Sequence, residues 1–232
     1  MEKKEVIKDF HILYYNVHLS SSQAYWKGIP VQKCPLDLWQ IQEIIYETRP
    51  DIIIESGTGL EGSTLFMADI CSLIGHGKII TIDIFKPSSL LNDRIMFVQG
   101  SSTSEEVVNR VTQLIPSGSS VMVNLDSGHH KDHVLKELRI YSKLVTVGNY
   151  LILEDTNINN PVLPGWGEGP REALDEFLKE TFWQGACVIA AHQYLVGKNL
   201  FGYVDSFGNR ANITVEKLES IGEAVITYYL SQ

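Results

Sequence analysis

Residues 51–62 have the sequence Asp-Ile-Ile-Ile-Glu-Ser-Gly-Thr-Gly-Leu-Glu-Gly, which is the clearest indication of the fold in the chain. Its first five residues, Asp51–Glu55, form a continuous β-branched run that is typical of a strand buried on both faces of a parallel sheet. The glycines that follow predict a tight turn, and the apolar residues from Leu65 to Leu73 recur at helical spacing. The stretch therefore predicts a strand, a glycine turn and a helix, the first part of a β-α-β unit.

The same alternation of apolar runs and helical patterns continues along the chain. Strands that alternate with helices at this spacing form parallel sheets with right-handed crossovers. We therefore predict an α/β fold with a doubly wound, mostly parallel, Rossmann-like sheet and helices on both faces. The further predicted strands are Lys78–Asp83, Ile95–Gln99, Val121–Leu125, Tyr150–Leu153 and Cys187–Ala191, followed by a less regular run at Ala224–Leu230.

The first 34 residues differ from the rest of the chain. They are rich in aromatic residues and, from residue 10 onward, show no clear helical or strand period. Regular patterning begins at Pro35, a residue suited to the first turn of a helix. We therefore predict an N-terminal cap segment over residues 1–34 and one α/β domain over residues 35–232.

The composition excludes several classes of protein. The chain has 232 residues, of which 28 are Asp or Glu and 19 are Lys or Arg, so its formal charge is −9. This balance argues against nucleic acid or an anionic membrane surface as the main partner. The three cysteines form no CxxC pair, which makes a zinc site or redox dithiol a poor interpretation. The charged N-terminus lacks the apolar core of a signal peptide, so we expect a cytoplasmic protein.

A carboxylate two residues before the first glycine distinguishes between two kinds of cofactor. The spacing Gly57-x-Gly59-x-x-Gly62 matches the dinucleotide fingerprint and leaves an NAD-dependent oxidoreductase as an alternative. Glu55 would repel a pyrophosphate and attract a cation, by roughly 4 kcal/mol at about 4 Å before desolvation. S-adenosylmethionine carries a sulfonium and an ammonium but no phosphate. We therefore predict that Glu55, Gly57, Gly59 and Ser63 bind this cofactor.

Two further strand ends are predicted to complete the cofactor site. Asp83 ends the strand that follows the glycine turn and its helix, where a carboxylate can accept both hydroxyl hydrogens of a ribose. Gly100, Ser101 and Ser102 follow the next strand, and such small residues let an adenine edge approach the backbone. Ser102 fits equally well as part of a helix N-terminal cap.

Three carboxylates follow two neighbouring strands of the predicted sheet. Asp126 ends the fourth strand, and Glu154 and Asp155 end the fifth. Parallel neighbours bring these ends together, where the carboxylates repel one another unless a cation compensates. Ligation by oxygen atoms alone favours a hard divalent ion, so we predict Mg²⁺ on Asp126, Glu154 and Asp155. Asp126 is also expected to border the cofactor.

A histidine in the same loop is the predicted general base. His129 lies three residues after Asp126, and a neutral imidazole there can take a proton from a hydroxyl held at the metal. His130 and His133 compete for the role. His133 is predicted to lie on the following helix and is the weakest of the three.

Several separate motifs together resemble a known family. The stretches Glu55–Gly62, Gly100–Ser102, Leu125–His129 and Leu153–Asn157, with Asp83, resemble in order and spacing the cephalosporin hydroxylase family of class I methyltransferase folds. They are also similar to the metal-dependent sugar O-methyltransferases of macrolide biosynthesis. The resemblance covers roughly residues 25–180, and residues 185–232 depart from it.

This resemblance implies an S-adenosylmethionine-dependent and Mg²⁺-dependent O-methyltransferase that acts on a hydroxyl of a small molecule or sugar. It carries the magnesium and base site of the macrolide enzymes onto Asp126, His129, Glu154 and Asp155, and it implies a homo-oligomer. Catechol-type O-methyltransferases share the metal layout but use a lysine base, which leaves Lys131 as a lesser candidate. One family member is tied to oxidation of a β-lactam with a partner protein. A cofactor-binding partner of an oxidising system is therefore a second alternative.

Overall fold

A computed structural model describes residues 3–18, 24–88, 92–159, 161–180, 187–190 and 200–201. None of the helices in these ranges is long and apolar enough to cross a membrane. The helices are α1 (Lys3–His18), α2 (Pro35–Thr48), α3 (Gly62–Leu73), α4 (Glu105–Leu114), α5 (Lys131–Tyr141) and α6 (Pro170–Glu180). The strands are β1 (Ala24–Trp26), β2 (Ile29–Val31), β3 (Ile52–Ser56), β4 (Lys78–Asp83), β5 (Ile95–Gln99), β6 (Val121–Leu125), β7 (Tyr150–Leu153), β8 (Cys187–Ala190) and β9 (Leu200–Phe201).

The central sheet has the strand order β5-β4-β3-β6-β7-β8-β9. All neighbours from β5 to β8 are parallel, and β9 pairs antiparallel with β8. The chain moves outward from β3 to β5 and then returns to the other side of β3 with β6. The predicted doubly wound α/β fold is therefore confirmed, and its topological switch point lies between β3 and β6.

The two faces of the sheet are buried by different helices, which explains the unbroken apolar run in β3. Ile52 and Ile54 pack in one apolar cluster with residues of α4, α5 and α6. Ile53 points the other way and packs in a second cluster with residues of α2 and α3. Successive strand residues face opposite sides, so a strand covered on both faces needs apolar side chains at consecutive positions.

The N-terminal segment contains a helix that the sequence pattern did not predict. Residues Lys3–His18 form α1, and residues 24–31 form the antiparallel hairpin of β1 and β2. Trp26 of this hairpin packs edge-on against Phe66 of α3, with the ring centroids 4.9 Å apart. His11 of α1 lies buried, with Nδ1 3.1 Å from Nδ2 of Asn157. The segment thus contacts α3 and the loop after β7, and its division from the main domain at residue 34 stays a prediction.

The predicted strand boundaries lie within one residue of the observed ones. Strand β3 is shifted to Ile52–Ser56, and β8 ends at Ala190 rather than Ala191. The less regular run Ala224–Leu230 lies outside the described residues.

Candidate active site

A cavity of about 820 Å³ lies at the carboxyl ends of the sheet strands. Its walls come mainly from the loops that follow β3, β4, β5, β6 and β7, with additional residues from the segment around β2. This is the switch point at which open α/β sheets bind ligands. The volume falls in the range of about 300–1,000 Å³ that is usual for small-molecule and cofactor sites.

The glycine turn after β3 approaches the loop after β6 closely. Gly57 has a φ of +89°, and its amide donates a hydrogen bond to the carbonyl of Ile82 over 2.8 Å. A Cβ atom built on Gly57 would lie 1.9 Å from the backbone oxygen of Asp126. Both the backbone conformation and this close approach therefore require glycine.

Replacing Gly57 with alanine is expected to destabilise the protein by at least about 2 kcal/mol, because a positive φ and a backbone clash both oppose the new methyl group. Gly75→Ala is the matched control, since Gly75 also has a positive φ of +70° but nothing within 4 Å of its built Cβ. Denaturant unfolding of both variants measures the difference. Equal losses would show that the approach of Gly57 to Asp126 is unimportant.

Asp83 is held at the end of β4 by two backbone amides. Gly59 N donates to Oδ2 over 3.0 Å, and Phe85 N donates to Oδ1 over 2.9 Å. Gly100 N donates to the Asp83 carbonyl over 2.8 Å, so the turn after β5 lies beside the end of β4. These residues line the same cavity, together with Ser101 and Ser102.

The helix cap after β5 is not Ser102. Ser104 is the N-cap of α4, and its side chain accepts a hydrogen bond from Val107 N over 3.4 Å. Ser102 lies nearer the cavity, with Oγ 3.3 Å from Nε2 of His133. Its carbonyl accepts a 2.7 Å hydrogen bond from the buried Tyr141 hydroxyl. The structure thus places Ser102 against the cavity and gives the capping role to its neighbour.

Glu55 lies behind the cavity wall rather than at its surface. Its side chain is fully buried and accepts hydrogen bonds from the hydroxyls of Ser63, Thr64 and Thr81, those from Ser63 and Thr81 being 2.8 Å long. Burial raises the pKa of this carboxyl group, against the opposing effects of Lys33 and the hydroxyls. Ser63 lines the cavity in front of it. Glu55 therefore fixes residues that line the cavity, and its direct contact with a cofactor stays a prediction.

Thr81, Glu55 and Asn124 form a buried polar row across β4, β3 and β6. They pair in register, and each has 0% exposure. All three have the same orientation along their strands as Ile79, Ile53 and Met122, so they face the side that α2 and α3 cover. The row thus brings an ionisable residue into the sheet face that also carries the apolar cluster of Ile53, Ile79 and Met122.

Lys33 is a residue of the candidate site that the sequence analysis missed. It lies just before α2, its side chain is 2% exposed, and its Nζ atom bonds to both Asp126 Oδ2 and Glu154 Oε1, the latter over 2.5 Å. Asn124 Nδ2 donates to the same Glu154 oxygen over 2.8 Å. Desolvation lowers the pKa of Lys33. The attraction of Asp126, Glu154 and Glu55 is larger, so the pKa of Lys33 is raised overall. Burial raises the pKa of Glu154, against the opposing effect of Lys33.

Asp126, His129 and Asp155 form a group that could hold a metal ion. Each offers one ligand atom, and these atoms lie within 4.8 Å of one another. Nε2 of His129 is 2.7 Å from Asp155 Oδ2 and 3.7 Å from Asp126 Oδ1. Asp155 has a φ of +55°, a left-handed conformation that Asp tolerates better than most residues. Among the described residues Glu154 stands outside this group and faces Lys33 instead.

The two carboxylates change the protonation of His129. Burial disfavours the charged ring, but Asp126 and Asp155 outweigh it and raise the pKa of His129 to about 10. Nε2 is buried and makes no well-aligned hydrogen bond to any described residue. The nitrogen therefore has a strong electrostatic attraction to its neighbours without the geometry of a satisfied hydrogen bond.

The other proposed bases have partners of their own. His130 stacks on Trp166, with centroids 5.4 Å apart and an interplanar angle of 14°. Lys131 pairs with Glu168 and Glu176 at 3.1 and 3.0 Å. His133 lies in the first turn of α5, as predicted, 3.0 Å from the Ser127 hydroxyl. Of these candidates, His129 has the closest contact with the carboxylates.

The loop between β7 and α6 forms the remaining wall of the cavity. Ile158, Val162, Leu163 and Trp166 line it, and Trp166 keeps 41% of its surface exposed. Apolar side chains thus line the same cavity as Asp126, His129 and Asp155.

Known proteins resemble this chain in sequence and in fold. Residues 19–204 match the model of the family Rhamnosyl O-methyltransferase/CmcI. Over 182 residues the chain is 35% identical to the rhamnosyl O-methyltransferase of Mycobacterium tuberculosis, covering 75% of this chain and 74% of that protein. The Mycobacterium leprae rhamnosyl O-methyltransferase is 33% identical over 182 residues, with 75% and 79% covered. An apo structure of CmcI has a TM-score of 0.53 and 19% identity over 68% of this chain and 67% of that one, which shows a shared fold.

Proposed function

The chain belongs to the rhamnosyl O-methyltransferase/CmcI family and is an O-methyltransferase, and we propose that it moves the methyl group of S-adenosylmethionine to a sugar hydroxyl with the help of Mg²⁺. The observation that carries this proposal is the convergence of Asp126, His129 and Asp155 beside the glycine turn, within one cavity. The proposed cation site and proton acceptor are next to the strand ends predicted to bind the cofactor. The names of the curated relatives make a rhamnosyl group the first acceptor to test.

The cavity residues fit S-adenosylmethionine. The bare backbone of Gly57 and Gly59 lines the cavity, and Asp83 is already oriented by two amides. Each oxygen of a carboxylate can accept a second hydrogen bond, so Asp83 retains capacity for the two ribose hydroxyls. Ser63 and Gly100–Ser102 complete the proposed cofactor contacts. Asp126, with its carboxylate on the same cavity, favours the positive end of this cofactor.

The acidic group also fits a divalent cation. We propose Asp126, Glu154 and Asp155 as the residues that hold Mg²⁺, since carboxylate oxygens are the ligands it prefers. The fit rests on two observations: Asp126 and Asp155 offer oxygens near one another, and the buried Nε2 of His129 beside them lacks a well-aligned hydrogen bond. Bound Mg²⁺ supplies Lewis acidity that lowers the pKa of the acceptor hydroxyl.

His129 is the proposed base of the transfer. Its Nε2 accepts the proton of the acceptor hydroxyl while that oxygen forms a bond to the methyl carbon. The carbon–sulfur bond breaks at the same time, and its electron pair stays on sulfur. His129 must be neutral before it can accept a proton. A cation held by Asp126 and Asp155 would compensate their charge in place of the His129 proton, and this would favour the neutral ring. Proton removal of this kind contributes about 10²–10⁴-fold to a rate.

The acceptor is proposed to bind against the loop after β7. Trp166 and Leu163 give this wall an exposed indole and an apolar side chain. A sugar ring presents C–H groups that suit such a surface, while its hydroxyls suit Asp126 and Asp155 in the same cavity. The acceptor oxygen can then face His129 with the rest of the sugar on the loop.

The proposed function is tested by methyl transfer from S-adenosylmethionine to a panel of rhamnosides and other hydroxyl compounds, followed by mass spectrometry. We expect a singly methylated product whose formation stops in excess EDTA and returns when Mg²⁺ is restored, because the carboxylates need the cation to act on the hydroxyl. Calorimetric titration of NAD is the control and is expected to show no binding. Full activity in excess chelator would overturn the metal requirement.

A further inference from the structure

The ammonium group of Lys33 occupies the space between two of the proposed metal ligands. Nζ contacts Asp126 Oδ2 and Glu154 Oε1 together, and the Lys33 side chain is 2% exposed. An Mg²⁺ ion sits about 2.0–2.1 Å from its oxygen ligands. An ion shared by these two oxygens would therefore lie where the Lys33 nitrogen lies.

Strand geometry explains why Lys33 and Glu154 meet. Glu154 extends the alternation of β7, on the side of Ile152, which faces α2 and α3. Lys33 comes just before α2 and is separated from its first residue by Cys34, the N-cap. The lysine thus enters from the helix side of the sheet, whereas Asp155, the next residue in the chain, lines the cavity.

The cavity offers space for the ammonium group of Lys33. Lys33 lines the cavity of about 820 Å³ along with Gln32 and Gly59. A rotation of its four-carbon side chain toward this space would take the charge away from Asp126 and Glu154.

We propose that Lys33 is an internal competitor of the divalent cation, which holds Asp126 and Glu154 in the metal-free enzyme and must leave before both can bind the metal. This inference rests on the metal site of the proposed function. It predicts that the chain is stable without metal, because a cation already compensates the buried carboxylates. It also predicts that metal affinity is lowered by the cost of displacing Lys33.

Calorimetric titration of Mg²⁺ into metal-free Lys33→Met tests the competition. Removal of the competing charge is expected to raise the Mg²⁺ affinity by about tenfold or more. The metal-free variant should melt at a lower temperature than the wild type, and saturating Mg²⁺ should recover more of its melting temperature. Lys27→Met is the matched control, since Lys27 pairs with Asp69 at 3.2 Å on the surface of the same segment. It should leave Mg²⁺ affinity unchanged.

An unchanged or weaker Mg²⁺ affinity in Lys33→Met, with normal binding by the wild type, would overturn the competition alone. Absence of Mg²⁺ binding in both proteins would instead overturn the metal site of the proposed function, and the competition with it. If Lys33→Met does not fold, NMR spectra of the wild-type protein labelled with ¹⁵N-lysine test the proposal instead. The buried ammonium should give a slowly exchanging signal that Mg²⁺ removes or shifts. A spectrum without this signal, or with one that Mg²⁺ leaves in place, would refute the proposal.

Discussion

Substituting His129 with glutamine is expected to lower kcat for methyl transfer by about 10²–10⁴-fold, because the amide cannot accept the hydroxyl proton at neutral pH. Glutamine retains a polar group of similar length beside Asp126 and Asp155. The loss should therefore appear in single-turnover rates at saturating acceptor, with a much smaller change in KM. Rapid quenching followed by mass spectrometry of the methylated sugar measures this rate.

The Mg²⁺ affinity of the same variant separates two roles of His129. A base that is not a metal ligand leaves this affinity within a few-fold of the wild type, whereas loss of a ligand would weaken it strongly. His76→Gln is the control, since His76 contacts Asp51 at 3.1 Å outside the cavity and should keep full activity. Normal single-turnover rates in His129→Gln would show that another residue is the base.

Replacing Asp126 with asparagine is expected to abolish Mg²⁺-dependent turnover, with a fall in Mg²⁺ affinity of more than about a hundredfold. The side chain keeps its size but loses the charge that compensates Lys33 and attracts His129. The backbone of residue 126 is unchanged, and it is this backbone that faces Gly57. Binding of S-adenosylmethionine should therefore persist, although Asp126 contributes some of its electrostatic attraction.

Two calorimetric titrations, one with Mg²⁺ and one with S-adenosylmethionine, check this separation. Asp132→Asn is the control, because Asp132 lies exposed in the first turn of α5. Retention of normal Mg²⁺ affinity in Asp126→Asn would remove Asp126 from the metal site. Loss of cofactor binding together with metal binding would instead indicate a general collapse of the loop after β6.

The sheet and the positions of its strand ends could be predicted because their signals are local. Each strand of the parallel core is a short apolar run, and parallel neighbours must end on the same edge. That rule places Asp126 and Asp155 at neighbouring strand ends. The proximity of His129 follows as well, since it lies in the same loop as Asp126.

The different directions of Glu154 and Asp155 could also have been predicted from the sequence. Successive residues of an extended strand point to opposite faces, so two adjacent carboxylates at the end of β7 are expected to point in different directions. The observed turn at Asp155, with a φ of +55°, is a backbone feature that the sequence pattern does not reveal. The hydroxyls of Thr64 and Thr81 around Glu55 likewise depend on register between elements.

Lys33 could not have been predicted from the pattern of residues. Lysine is almost always exposed, and an isolated lysine before a helix gives no local signal of burial. Its placement depends on carboxylates from two strands that pair only in the folded sheet. Helix α1 was missed for a related reason, because its aromatic residues show no regular amphipathic period and its contacts, such as His11 with Asn157, are distant in sequence.

The separation of Lys33 from Glu154 by 121 positions in the chain has a kinetic consequence. This ion pair closes only after β3, β4, β6 and β7 have found their places in the sheet, so most of the loop-closure entropy is lost before it forms. We expect local structure such as α4 and α5 to form early. The contacts of Lys33 with Asp126 and Glu154 should form among the last events of folding. A nascent or partly folded chain would therefore have neither the metal site nor methyl transfer, and acquisition of activity would report completion of the sheet.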